Sequence, residues 1–178
     1  MKKILHREKI IISKWLSIIK KKVSMNGKIE DFYNISTYDY LTVFAINECG
    51  KIPLVKQFRP SYEKYTLEFP AGLIDKKISK KEIAKSEIIE ETGLIPCSKF
   101  QLIGKIKTDT GRSQNYLYSY FVRTKFSKKI IKKEKNINLI LVSFTELQKL
   151  IKLGKFDHAL HLAVYSLASI KNFIPKIK

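Results

Sequence analysis

The chain has 178 residues, 44% hydrophobic and 11% aromatic, which suits one domain of ordinary size with its own core. Lysine and arginine number 35 against 16 aspartates and glutamates, a formal charge of +19, and only Arg7, Arg59, Arg112 and Arg123 are arginines. No stretch approaches the length of a membrane span, no repeat or linker divides the chain, and Cys49 and Cys97 lack metal-ligand spacing, so a cytoplasmic protein with reduced thiols is expected.

The charge has two readings. A basic chain binds nucleic acid or an anionic membrane through its field alone. Here the charge is almost all lysine, spread along the whole chain, whereas arginine is the better reader of bases and phosphates. A dedicated nucleic-acid surface is therefore not favoured, and each of the four arginines gains interest.

Met25-Asn26-Gly27 separates the runs 15–23 and 28–35, a strong hairpin signal. Residues 40–47 read as a strand, Glu48-Cys49-Gly50 as its turn, and 52–58 as the returning strand. A short strand over 65–69 closes at Pro70-Ala71-Gly72. Ser79 with Glu82 makes a capping box, and Gly93 followed by Pro96 makes a stop, so a helix is expected over about 80–92. Strands follow at 100–107, 115–123 and 137–143. Thr145 is expected to cap a helix ending near Gly154, and a last helix covers about 157–171 with Leu160, Val164, Leu167 and Ala168 on one face. The order implies an α+β fold, a mixed sheet covered by helices. His158 and His161 stand three apart with no accompanying carboxylate motif and read as structural.

The expected central helix carries Glu87, Glu90 and Glu91. Neighbours on a helix lie three and four positions apart, and at those positions around the three acids stand Ile83, Ala84, Ser86, Ile88, Gly93, Leu94 and Ile95, with no lysine or arginine. Like charges at this spacing cost roughly 0.2–0.5 kcal/mol per pair. A merely solvated helix face in so basic a chain would carry a lysine there. The pattern points to a divalent cation with oxygen ligands.

The segment from Gly72 through Glu87, Ile88, Glu90, Glu91 and Gly93 to Leu94 resembles the Nudix box: a Gly, five residues, a Glu, seven residues, then Arg-Glu-apolar-any-Glu-Glu-any-Gly-apolar. Ile78 stands where the first Glu belongs and Ser86 where the Arg belongs. Val55-Lys-Gln-Phe-Arg-Pro60 and Leu67-Glu-Phe-Pro-Ala-Gly-Leu-Ile-Asp75 resemble the ADP-ribose pyrophosphatase branch of that family, and the likeness covers nearly the whole chain.

The resemblance implies an α/β/α sandwich, with an N-terminal arm and hairpin over residues 1–36 that serves dimerisation and a Nudix domain over 37–178. It implies magnesium, or manganese, held by Glu87, Glu91 and the backbone carbonyl of Ala71, with Glu90 as a further ligand or orienting neighbour. Gly72 would turn the chain so that this carbonyl points at the ion. Arg59 matches the phosphate-binding arginine, Trp15 a residue that stacks on adenine, Asp109 a ribose contact and Arg112 a partner for a terminal phosphate. The catalytic base belongs in a late loop where Glu134 is the only acid; the following strand places that position near Lys135 or Asn136. The implied activity is hydrolysis of ADP-ribose or a related nucleoside diphosphate sugar by a homodimer. The alternatives are a catalytically impaired Nudix fold that binds nucleotide or RNA, and a hydrolase of capped or dinucleotide substrates.

Overall fold

Residues 2–128, 134 and 136–174 are described in the computed structural model of the chain. The N-terminal part is a meander of β1 (Lys3–Ile11), β2 (Ser17–Met25) and β3 (Lys28–Ser36), paired antiparallel. Asn26 (φ 52°) and Gly27 (φ 81°) close the β2–β3 hairpin, both in the left-handed region that a two-residue turn between twisted strands demands. The expected arm is thus itself a strand, β1. Its residues are exposed on both faces, so no alternating pattern marks it in the sequence.

The rest of the chain runs β4 (Tyr40–Asn47), β5 (Ile52–Arg59), β6 (Lys64–Glu68), β7 (Ala71–Leu73), α1 (Lys80–Thr92), β8 (Leu94–Pro96), β9 (Gln101–Lys107), β10 (Tyr116–Phe126), β11 (Ile137–Val142), α2 (Phe144–Lys152) and α3 (Ala159–Ile170). One sheet has the order β7-β4-β10-β8, with β9 also on β10; a second has the order β11-β5-β6. β4 and β10 are parallel while the other pairs are antiparallel, so the sheet is mixed, as expected. The short strands β7 and β8 went unread, being three residues each.

β4 is the centre of the sandwich, buried on both faces, which is why it reads as a continuous apolar run. Leu41, Val43 and Ala45 pack with Ile83, Ala84 and Ile88 of α1. Phe44 and Ile46 face the other way and pack with Leu147 of α2 and with Val164 and Ala168 of α3. Burying each isoleucine of α1 is worth roughly 1.5–3 kcal/mol. Helices therefore cover both faces of one sheet, as in the expected α/β/α arrangement.

Both capping boxes form. Ser79 Oγ accepts the Glu82 N–H while Glu82 accepts the Ser79 N–H, and Gly93 (φ 73°) ends α1 with its N–H on Ile89. The cap of α2 is Ser143 rather than Thr145, because Ser143 with Glu146 repeats the same reciprocal pattern.

Candidate active site

Strand β7 and helix α1 meet at the acidic cluster. Gly72 pairs with Leu41 of β4, and α1 lies close above it. A Cβ at Gly72 would collide with the Glu87 carboxyl group, so the glycine is needed for the close approach of Glu87. The tight turn expected there is not what the residue supplies. One turn further along α1, the Glu91 carboxylate accepts the Ala71 N–H at 3.0 Å. Glu87 and Glu91 thus reach the same short strand, as their spacing dictates.

Both are starved of compensation. Burial foremost, then the neighbouring Glu90, pushes Glu87 up to about 7; Lys76 opposes this, and Glu134 adds to it. Burial foremost, then Glu87 and Glu134, pushes Glu91 up to about 8, against the Ala71 hydrogen bond and the distant Arg59. Glu90 is exposed, and its carbonyl accepts the Glu134 N–H at 2.8 Å, which ties Glu134 to the C-terminal end of α1. Glu134 is exposed and lines the same cleft as Glu87 and Glu91; Asn136 does not line it, and Lys135 lies outside the described residues. Ile78 is exposed and Ser86 half-buried.

A second cluster forms the opposite wall. Arg59 ends β5 opposite Lys64 and Glu68 ends β6 opposite Val55, so the two stand on one face of the hairpin and the long arginine side chain reaches along it to the carboxylate. Arg59 Nε and Nη2 donate to Glu68 Oε1 and Oε2 at 2.7 and 2.6 Å, and Thr66 Oγ1 donates to Oε1 at 2.6 Å. Burial alone would raise the Glu68 carboxyl, but these bonds outweigh it and hold it down at about 2. Nη1 of Arg59 remains free of this pair. Behind Glu68, His161 is buried and its Nδ1 accepts the Phe69 N–H at 3.1 Å. Burial foremost, then His158, pushes the His161 imidazole down to about 3, so it is neutral. The His158 ring stacks on it with centroids 4.2 Å apart.

The cleft between the walls has a volume of about 730 Å³ and is lined by Arg59, Glu68, Ala71, Gly72, Glu87, Glu91 and Glu134, and also by Asp75, Lys76, His158 and His161. Sequence reasoning did not single out Asp75 or Lys76, although they directly follow the glycine motif. It read His158 and His161 as structural; what puts them on the cleft is the contact of α3 with Phe69, which no local pattern signals.

Three expected substrate contacts lie elsewhere in this chain. Trp15 is exposed in the β1–β2 turn, edge-on to Tyr38 at 6.0 Å, with the Lys14 ammonium 4.6 Å from its ring centroid. Asp109 accepts the N–H groups of Gly111 and Arg112, and the Arg112 carbonyl accepts the Ile35 N–H. None of the three lines the cleft of Glu87 and Glu91.

The acidic wall suits a hard divalent cation. Its donors are carboxylate oxygens with the Ala71 backbone beside them, they carry excess negative charge, and Gly72 leaves a cradle for Glu87 that a Cβ would fill.

The NUDIX domain matches residues 39–163. Over 92 residues the chain is 33% identical to the ADP-ribose pyrophosphatase of Bacillus subtilis (strain 168), covering 51% of this chain and 50% of that protein. Over 73 residues it is 51% identical to the ADP-sugar pyrophosphatase of Mus musculus, covering 41% of this chain and 32% of that protein. The matched stretches thus span between about a third and a half of these relatives' lengths. The crystal structure of an ADP compounds hydrolase superposes with a TM-score of 0.78 over 97% of this chain and 93% of that one, at 16% identity, a likeness of fold. With its fold, its acidic helix and a match over 39–163, this chain belongs to the Nudix family.

Proposed function

We propose that the chain is a divalent-metal-dependent pyrophosphohydrolase that splits ADP-ribose or a related nucleoside diphosphate sugar into a nucleoside monophosphate and a sugar phosphate. The observation that carries the reading is half-buried Glu87 and buried Glu91 against β7, without a salt-bridge partner among the described residues, in one cleft with Arg59. The Ala71 carbonyl, Glu87 and Glu91 would hold magnesium or manganese, with Glu90 close by. When bound, the ion supplies charge neutralisation on the phosphoryl oxygens and activation of water. Arg59 keeps its Nη1 for a phosphate oxygen while Glu68 fixes the plane of its guanidinium. Glu134, held at the end of α1 through its own N–H and lining the same cleft, would take the proton of the attacking water.

Trp15, Asp109 and Arg112 enter this reading through assembly. A homodimer, formed in the cytoplasm through residues 1–36, would bring these exposed residues to a partner's cleft, where the adenosine and terminal phosphate are expected. The relatives' names, one for ADP-ribose and one for ADP-sugars, support the substrate class.

The test is incubation with magnesium and a panel of ADP-ribose, sugar nucleotides, dinucleoside polyphosphates and capped RNA, read by phosphate release after phosphatase coupling. Turnover on a nucleotide sugar, lost by about a hundredfold or more in Glu91→Gln, is expected. No turnover on any member, with Glu91→Gln behaving as wild type, overturns the reading.

A further inference from the structure

The Arg59–Glu68 wall of the cleft also carries two histidines that the proposed reaction does not use. One nitrogen of His158, one of His161 and one carboxylate oxygen of Glu68 lie within 4.8 Å of one another. His158 Nδ1 is buried, with no hydrogen-bond partner among the described residues. His161 is 3% exposed, and its Nδ1 is occupied by the Phe69 N–H. A neutral imidazole that accepts at Nδ1 carries its proton on Nε2. That nitrogen is the one His161 has left for the cleft it lines. Glu68 Oε1 already takes two bonds and Oε2 one, so Oε2 retains a lone pair.

Two histidines and a carboxylate suggest a transition metal such as zinc, but the chemistry here opposes one. The lone pair of His161 Nδ1 is spent, its other nitrogen holds a proton, and the Arg59 guanidinium is bonded to both oxygens of Glu68. A phosphate oxygen fits no better, since it brings negative charge and no proton to Glu68, whose charge Arg59 already balances. The fitting occupant is neutral and both gives and accepts a hydrogen bond. A hydroxyl does both.

We infer that Glu68, His158 and His161 form a subsite for a hydroxyl of the substrate's sugar, with His161 Nε2–H donating to the hydroxyl oxygen and Glu68 accepting its proton. The subsite selects a polyol on the far side of the diphosphate over an alkyl ester of the same diphosphate. It shares the cleft with Glu87 and Glu91, and it deepens the proposed function, on whose substrate class it rests.

Two variants separate donor loss from misfolding. His161→Asn keeps an oxygen where Nδ1 accepts from Phe69 but does not reach the Nε2 position; His161→Gln places an amide near the Nε2 position. ADP-ribose is compared with the methyl ester of ADP, in steady-state turnover and in calorimetric binding with calcium in place of magnesium. His161→Asn is expected to raise KM and Kd for ADP-ribose by about tenfold, with a kcat change below about threefold and a far smaller shift on the methyl ester; His161→Gln recovers part of the loss. Equal losses on both ligands, or no rescue by Gln, overturn the inference. Absence of turnover in the wild type counts against the proposed function alone, because the calorimetric comparison still reads the subsite. Stoichiometric binding of zinc without nucleotide, abolished in His158→Ala, also overturns it, in favour of a metal.

Discussion

The Arg59–Glu68 pair contributes to the acid limb of stability. Glu68 sits at about 2 in the fold against an ordinary value of 4.5, so its contribution is fully present above about 4.5 and is lost as pH falls through 2. Its side chain is 2% exposed while that of Arg59 is 41% exposed, so the arginine recovers some water when its partner is removed. Glu68→Gln should cost about 1–3 kcal/mol at pH 7. The difference from wild type should shrink toward zero as urea unfolding is repeated closer to pH 2. Glu87 and Glu91 shift the other way, to about 7 and about 8, and protons then compete with the cation. Metal affinity, followed by thermal shift during manganese titration, should therefore rise as pH goes from 6 through 8. Glu91→Gln should flatten that rise. Gly72→Ala should weaken metal binding more than it weakens the metal-free fold, because the atoms a Cβ meets belong to the movable end of Glu87.

At the scale of elements, α1 is the component best specified by its own residues. Ser79, Glu82 and Gly93 gave its limits in the sequence, and Lys80–Thr92 is the helix found. Ser79→Ala should cost about 1 kcal/mol, read from urea unfolding. If the cap is local, the metal affinity of the variant stays within about twofold of wild type, since the acids lie two turns away. Ser143 and Thr145, two residues apart, both offer a hydroxyl for the start of α2, and Glu146, three residues after Ser143, settles the choice by closing the capping box. The strand β1 had no such signature, because its residues are exposed on both faces. The histidine wall had none either: Phe69 and His161 are 92 residues apart, and only the docking of α3 on the sheet brings that N–H to that nitrogen.

Across the whole molecule, apolar exposure is uneven. Ten of the exposed large hydrophobic residues, from Ile4 to Ile35, belong to β1–β3 or to the turn between β1 and β2. A patch of this kind marks a surface that another chain covers. By sedimentation the protein should run at twice its 20.7 kDa mass, and removal of residues 1–36 should leave a monomer with lowered turnover on ADP-ribose. A monomeric full-length chain would remove dimerisation from the proposal. The +19 charge raises the rate of encounter with any polyanion, and salt-dependent retention of RNA by an inactive protein would revive the nucleic-acid reading.

The sequence by itself determined the acidic helix, its caps, the glycine beneath it and the mixed sheet that carries it. These follow from short-range rules, the helical spacing of carboxylates and the periodicity of buried strands. Only the tertiary structure decided how deeply Glu87 and Glu91 are buried, that Glu134 is tied to the end of α1, that Trp15, Asp109 and Arg112 stand outside the cleft, and that Glu68, His158 and His161 line it. Burial and hydrogen-bond partnership depend on which distant segments pack together, and that packing is set by the whole core rather than by any local run of residues.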